Sequence, residues 1–148
     1  MTPRRIMSDC LPSGLGELAG IAAAEGFGMV DRLIEDHRDG SNTFSKRGES
    51  LWVSEQDARI LAVGGINVDP YFDLPSLGRI RHLYVHPEFR RRGIGRQLIQ
   101  VIEGSGSEYF ETFQLFTAGV AASRFYEALG YAPINGQWKV SHAKRVAA

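Results

Sequence analysis

The segment that most constrains this chain runs from Leu83 to Ile99 and changes its pattern twice. Its first residues have the character of a β-strand, which ends at Pro87 because proline has no N–H for a strand partner. A stretch rich in arginine and glycine follows, and from Ile94 onwards apolar residues recur at helical spacing. A strand that passes through a turn into a helix predicts a layered domain in which helices pack on a sheet.

The turn of this segment predicts an anion-binding site. The first turn of a helix has free N–H groups and the positive end of the helix dipole, and glycine lets a phosphate approach the main chain. Four arginines at this position are unfavourable unless an anion neutralises them. The residues concerned are Arg90, Arg91, Arg92, Gly93, Ile94, Gly95 and Arg96. A solvated arginine run that caps a surface helix is the alternative interpretation.

The turn does not match either of the common nucleotide-binding motifs. No Gly-Lys-Ser/Thr follows it, and Leu98 stands where the dinucleotide fingerprint needs its third glycine. The whole chain has 17 Lys+Arg and 17 Asp+Glu. That balance argues against a general nucleic-acid or anionic-membrane binder. A protein that binds RNA or DNA phosphates through the arginine run alone is kept as an alternative.

Length and composition indicate a single soluble domain. The chain has 148 residues, of which 43% are hydrophobic, a size that buries a sufficient core without disulfides. The one cysteine, Cys10, excludes an internal disulfide and any Cys-rich zinc site, and no metal site is expected. No apolar run approaches the roughly 18 residues that a membrane span requires. We therefore expect one cytoplasmic domain over residues 1–148.

The remaining patterns predict the order of the other elements. Two helices precede Gly40, and residues 41–49 are polar and predict a loop. A hairpin turns at Glu55-Gln-Asp-Ala, and a third strand begins at Arg79. After the helix that begins near Ile94 and closes at Gly104, we expect a strand over 112–117, a helix over 121–129 and a strand over 138–144. This order predicts an α/β or α+β domain with a mixed sheet.

A second motif lies some 30 residues after the glycine turn, where Phe125-Tyr126-Glu-Ala-Leu-Gly130-Tyr131 ends the predicted last helix. Arg90-Arg-Arg-Gly93-Ile-Gly95 fits every fixed position of the acetyl-CoA signature Gln/Arg-x-x-Gly-x-Gly/Ala. With both motifs at this separation, the chain resembles the GNAT family of N-acetyltransferases, most strongly over residues 79–131. The resemblance implies a mixed, mostly antiparallel central sheet flanked by about four helices. It also implies acetyl-CoA (coenzyme A) as the cofactor.

The resemblance also implies roles for particular residues. The main chain of Leu83, Tyr84 and Val85 would bind the pantetheine arm, and the Val85 N–H would meet the developing oxyanion. The turn from Arg90 to Arg96 would hold the pyrophosphate. Tyr126 would protonate the departing thiolate, since a phenol with a pKa near 10 stays protonated at neutral pH. An ordinary aromatic at the edge of the core is the alternative for Tyr126.

The general base is the main departure from the family. The positions where members carry a glutamate are Arg79 and Gln114 here, and neither side chain can take a proton from an ammonium group. Gly119 stands where many members have an asparagine. A water relay or His82 would have to act as the base, although a lone histidine on a strand is often only a packed residue. A non-catalytic acyl-CoA-binding module is therefore the second functional hypothesis.

The distribution of charge suggests an acceptor. Residues 25–57 contain eight acids and four bases, and Asp69 and Asp73 follow them. In the GNAT family, which this chain resembles, this part of the chain commonly borders the acceptor pocket. An acidic pocket would favour a cationic amine, such as a polyamine, a lysine side chain or an amino sugar. We thus expect a small-molecule or peptide amine as partner, with no nucleic acid or membrane, and a homodimer is left open.

Overall fold

The fold is a seven-stranded sheet with helices on both faces, seen in a computed structural model that describes residues 2–7 and 9–147. The strand order is β1-β2-β3-β4-β5-β7-β6. Neighbouring strands are antiparallel except β4 and β5, which are parallel. The strands are β1 Arg4–Ile6, β2 Ser50–Gln56, β3 Arg59–Val68, β4 Leu77–Val85, β5 Thr112–Leu115, β6 Ala132–Pro133 and β7 His142–Arg145. The predicted mixed, mostly antiparallel sheet is confirmed.

Four α-helices are present in the described residues, as expected: α1 Leu15–Ala24, α2 Met29–Asp39, α3 Ile94–Gly106 and α4 Val120–Ala128. The second ends at Gly40, whose φ of 81° is left-handed and costs glycine little. The third continues past its predicted end at Gly104. It reaches Gly106, where a Cβ would come within 3.1 Å of the Phe113 ring, so the small residue lets the helix end pack on β5. No helix in residues 2–7 and 9–147 is long and apolar enough to span a membrane.

The core has two parts, one on each face of the sheet. On one face, α1 and α2 bury Leu18 and Leu33 against Val63 of β3. On the other face, α3 buries Ile102 in a cluster that also contains Ile66. Alternation of side chains along a strand explains why residues of β3 contribute to both parts. The second part includes Tyr126 of α4, which fixes the end of that helix against the sheet.

The structure corrects several predicted strands. β1 and β6 were not expected, because three- and two-residue edge strands carry too short a pattern to detect. β4 begins at Leu77, two residues earlier than predicted, because Leu77 and Gly78 pair with the start of β5. β7 begins at His142, four residues later than predicted. Lys139, with a φ of 58°, lies in a turn instead of a strand.

The feature that positions the site is the divergence of β4 from β5. The two strands pair only from Leu77–Thr112 to Arg79–Gln114 in the described part of the chain. Beyond Arg79, the edge of β4 that faces β5 is open. The register with β3 also shifts between Val63 and Gly65, so β4 carries a bulge around His82, whose φ is 61°. A gap therefore opens beside the second half of β4.

Candidate active site

A cavity of about 520 Å³ occupies the gap between β4 and β5. Its walls come from the middle of β4, the end of β5, the start of α2, the helix α4 and the loop before β7. The lining residues are Met29, Tyr71, Arg79, Ile80, Arg81, His82, Leu83, Leu115, Phe116, Thr117, Tyr126, Trp138 and Lys139. The two predicted catalytic residues, His82 and Tyr126, thus lie on one cavity although 44 positions separate them in the sequence.

His82 projects into this cavity because of the bulge in β4. Arg81 and His82 stand between Ile80 and Leu83, which both pack on the α3 side of the sheet. The His82 ring is packed edge-on to Phe44, with centroids 6.2 Å apart. Burial, and after it the nearby Arg81 charge, lowers the pKa of His82 to about 4. The ring is therefore neutral at pH 7, and its buried Nε2 has no hydrogen-bond partner among the described residues.

Tyr126 is the second polar group of the reaction zone. Its side chain is only 7% exposed and packs between Phe125 and Tyr131, with ring centroids 5.0 and 5.6 Å away. Burial raises the pKa of Tyr126 far above its ordinary value near 10. The phenol consequently keeps its proton at any physiological pH. A protonated phenol on the cavity wall can donate to a departing thiolate, and its raised pKa makes it a weaker acid than a free phenol.

The main chain of β4 offers donors to the gap at Val85. His86 donates its N–H to the Leu61 carbonyl at 2.8 Å, so these two residues form a hydrogen-bonded pair across β3 and β4. Such pairs alternate along an antiparallel ladder with pairs that exchange no bonds. The next pair, Ala62 with Val85, is therefore of the second kind. The Val85 N–H points away from β3 and into the gap, together with its carbonyl.

The turn before α3 has the geometry of an anion site. Gly93 caps the helix with a φ of 80° and no side chain caps the free N–H groups, which begin at Ile94. A Cβ on Gly93 would meet nothing within 4 Å, so the approach is open. Gly95 has a different role, because a Cβ there would lie 3.2 Å from the Phe125 ring. Its missing side chain brings α3 close to α4. The exposed cations at this turn that form no ion pair with a described carboxylate are Arg91, Arg92 and Arg96.

Arg90 differs from the other arginines of the turn, since its guanidinium is held by hydrogen bonds to protein groups although its side chain is 41% exposed. It donates to both carboxylate oxygens of Glu25, at 2.6 and 3.1 Å, and to the Val85 carbonyl at 3.1 Å. The hydrogen bond from Arg90, and a second one from the Tyr84 hydroxyl, lower the pKa of Glu25. This cluster ties the end of α1 to the end of β4. The Tyr84 side chain belongs to it, which leaves only its main chain for a ligand.

Arg79 and Gln114, the two positions that lack the family's glutamate, share one buried carboxylate. Asp69 accepts hydrogen bonds from Arg79 Nε and Gln114 Nε2, both at 2.8 Å. The Asp69 and Arg79 side chains are 0% and 4% exposed. An acid is thus present near both positions, on the loop between β3 and β4. Both of these hydrogen bonds end on Oδ2, and Oδ1 accepts the Tyr71 N–H at 2.9 Å.

The acidic residues behind the expectation of a cationic acceptor do not line the cavity. Glu25 is bound to Arg90, Asp69 to Arg79, and the buried Glu49 accepts from Asn67 and two main-chain N–H groups. The lining contains no Asp or Glu among the described residues. These three acids are engaged by partners within the fold, so they give no support to a cationic acceptor, and the identity of the acceptor stays a prediction.

Trp138 and Lys139 are cavity residues that the sequence did not reveal. The predicted strand over 138–144 would have placed them in the sheet. The turn before β7 instead brings Trp138 against Tyr71, with ring centroids 5.9 Å apart. Lys139 lies over both rings, 4.5 Å from the Tyr71 centroid. Gly136, with a φ of 76°, was the one local signal that this stretch turns.

The chain matches the sequence model of one family, described as the acetyltransferase (GNAT) domain, over residues 47–133. The crystal structure of a candidate acetyltransferase from Exiguobacterium sp. 255-15 is 29% identical, with a TM-score of 0.85 over 97% of this chain and 92% of that one. A GNAT-family acetyltransferase of Staphylococcus aureus Mu50 is 13% identical, with a TM-score of 0.73 over 99% and 100% of the two chains. An aminoglycoside 6'-N-acetyltransferase complexed with coenzyme A is 15% identical, with a TM-score of 0.68 over 100% and 98%. No curated protein sequence matches the chain.

Proposed function

The chain belongs to the GNAT acetyltransferase family, and from this premise we propose that it transfers an acetyl group from acetyl-CoA directly to a primary amine. The observation that carries the proposal is the cavity where a neutral histidine, His82, and a protonated phenol, Tyr126, meet beside the open edge of β4. We propose further that residues 1–148 form one acetyltransferase domain. The single sheet that joins strands from Arg4 to Arg145 supports this.

The binding residues are proposed from their fit to the cofactor. Acetyl-CoA supplies an acetyl group already activated as a thioester. The uncapped N–H groups at the start of α3 and the exposed Arg91, Arg92 and Arg96 suit its pyrophosphate. The unpaired edge of β4 at Leu83–Val85 suits the amide-bearing pantetheine arm, which can hydrogen-bond like an added strand. Arg90 contributes by holding the turn to Glu25.

The proposed reaction needs two proton movements and one oxyanion donor. The amine nitrogen forms a bond to the acetyl carbon while the carbon–sulfur bond breaks. The amine proton goes to His82 Nε2 or, through that atom, to water, and the Tyr126 hydroxyl gives its proton to the sulfur. The Val85 N–H, free of a strand partner, faces the developing oxyanion. Amide and free thiol are the products, so no covalent intermediate with the protein is required.

A second function is favoured by one specific observation. Arg79 and Gln114 replace the usual glutamate bases, and the low pKa of His82, about 4, makes its ring a weak acceptor of protons. A chain that binds acyl-CoA without turning it over would share the same turn and cleft. The two functions differ in whether free coenzyme A appears in the presence of amines.

The first test is thermal unfolding with acetyl-CoA, with ATP and a short DNA duplex as controls. A ligand at 100 times its Kd stabilises a fold by about 2.7 kcal/mol, which raises Tm by roughly 5–10 °C for a domain of this size. A shift with acetyl-CoA that exceeds the shift with either control is expected. Release of coenzyme A with a panel of amines then separates the enzyme from the binding module. If acetyl-CoA left Tm unchanged, both proposed functions would be contradicted.

A further inference from the structure

The end of the cavity away from the phosphate turn is where an acceptor must enter. Arg79 and Arg81 lie six and four residues before Val85 on β4, which is roughly 20 and 13 Å along an extended strand. Tyr71, Trp138 and Lys139 close the same end from the loops. These five residues form what we call the acceptor end. Their charges are separate from those of the arginine turn.

Arg79 offers an unsatisfied donor at this end. Its Nε binds Asp69 at 2.8 Å, and its Nη1 binds the Lys139 carbonyl at 2.7 Å. Its Nη2 is buried without a hydrogen-bond partner among the described residues. Buried guanidinium N–H groups almost always find an acceptor, since an unmade hydrogen bond costs free energy. The guanidinium lies over the Tyr71 ring, 4.9 Å from its centroid, and Nη2 keeps one N–H donor that a negatively charged acceptor can use.

Arg81 and Lys139 carry charges that no acid neutralises. Neither forms an ion pair with any carboxylate in residues 2–7 and 9–147. Among the described residues, the Arg81 guanidinium makes one long hydrogen bond, 3.4 Å, to the Asn67 side-chain oxygen. The Lys139 ammonium lies 4.5 Å from the Tyr71 ring centroid and 5.4 Å from that of Trp138. Aromatic faces orient an ammonium but leave its charge free.

We propose that the acceptor is an amine that also carries a carboxylate, an inference that rests on the proposed function. Three cations and one fully engaged carboxylate, Asp69, give the acceptor end a positive field that attracts an anionic group, whereas the negative charge of Asp36 acts at His82. The amine lies at His82 and the carboxylate at Arg81, Lys139 and the free Nη2 of Arg79. The Tyr71 and Trp138 rings bound the apolar body between the two groups.

The spacing of these residues sets the size of the acceptor. Arg81 is adjacent to His82, so an α-amino acid spans the nearest pair of sites. Arg79 is three residues from His82, which is about 10 Å on the strand, so an ω-amino acid spans the far pair. Free amino carboxylates of either kind belong to the proposed class.

Matched acceptor pairs test the proposal through release of coenzyme A at low ionic strength. One pair is L-phenylalanine with 2-phenylethylamine, and the other is 6-aminohexanoate with hexylamine. The main difference within each pair is the carboxylate. In at least one pair we expect kcat/KM to be about tenfold higher for the carboxylate member, the size of one hydrogen bond between charged groups. If the amines without a carboxylate are used as well or better in both pairs, the proposal is overturned.

Variants locate the effect in the protein. Lys139→Met and Arg81→Gln should each narrow the ratio of kcat/KM within the preferred pair by about fivefold. Lys46→Met makes the same change of residue and of net charge at an exposed position outside this cavity, and should leave the ratio as it is. An equal narrowing with Lys46→Met would mean that overall charge, not the acceptor end, sets the preference.

Binding without turnover keeps the proposal testable if none of the four compounds is acetylated. Calorimetric titration of the same compounds into the protein saturated with coenzyme A measures their affinity for the acceptor end directly. Tighter binding of the carboxylate member supports the proposal, and equal binding refutes it. Failure of the proposed function has a different signature: no thermal shift with acetyl-CoA and no coenzyme A released with any amine.

Discussion

At the residue scale, the hydroxyl of Tyr126 is the group whose removal should separate chemistry from folding. Tyr126→Phe should lower kcat by about 10²-fold to 10⁴-fold, the usual contribution of a general acid, while acetyl-CoA binds with unchanged affinity. The ring stays in place because Phe keeps the packing against Phe125 and Tyr131. Steady-state kinetics and a binding titration measure the two effects.

Tyr131→Phe is the matched control for that change. Its ring lies 5.6 Å from Tyr126, but its hydroxyl donates to Glu103 at 2.6 Å and does not line the cavity. This variant should lose about 1 kcal/mol of unfolding free energy and keep most of kcat. Equal losses of kcat in both variants would contradict the acid role of Tyr126.

At the element scale, the sequence predicts that the start of α3 binds an anion. It does not predict that Arg90 and Arg91 differ in role. Arg91→Gln should weaken acetyl-CoA binding by about fivefold, and the loss should shrink as salt screens the charges. Arg90→Gln removes the same charge one position earlier. Because Arg90 is paired with Glu25, that variant should instead lower the free energy of unfolding by up to about 1 kcal/mol.

Isothermal titration with acetyl-CoA and urea unfolding distinguish the two arginines. A loss of affinity in Arg90→Gln as large as in Arg91→Gln would show that the pair with Glu25 opens to bind phosphate. The sequence predicted all four arginines as one cluster, since neighbours in a turn cannot be told apart by spacing. Only the packing of α1 against the end of β4 brings Glu25 to Arg90.

At the scale of the whole molecule, His82 links stability to pH. Its pKa is about 4 in the folded protein and near 6.5 when the chain is unfolded, so the unfolded state binds the proton more tightly. The stability that this neutral ring provides is present above pH 6.5 and is lost as the pH falls towards 4. The loss amounts to about 3 kcal/mol from this group.

His82→Asn isolates that contribution, and asparagine tolerates the left-handed φ of 61°. Urea unfolding between pH 4 and pH 7 should show a shallower loss of stability in the variant than in the original chain. Identical slopes would mean that the His82 ring is protonated equally easily in both states. A lower kcat of the same variant at pH 7 is expected if Nε2 receives the amine proton.

Local patterns determined the architecture and the cofactor side of this protein. Helical spacing, strand character and the glycine turn at Gly93 depend on residues that are neighbours in the chain, so the sequence alone predicts them. The fold class and the family follow from those patterns and are confirmed. The edges of the sheet were missed, because two- and three-residue strands such as β1 exist only through their partners.

Tertiary structure decides which charges line the cavity. The acidic stretch of the sequence suggested a cationic acceptor. Glu25 and Asp69, however, form ion pairs with arginines 65 and 10 positions away. The charges that remain at the cavity, on Arg81 and Lys139, come from a bulged strand and from a turn that sequence spacing assigns to a strand. A sequence shows only how many charged residues a segment has. The electrostatic field in a pocket depends on which of those charges are neutralised by contacts in the folded protein. That pairing is settled only when distant segments pack together.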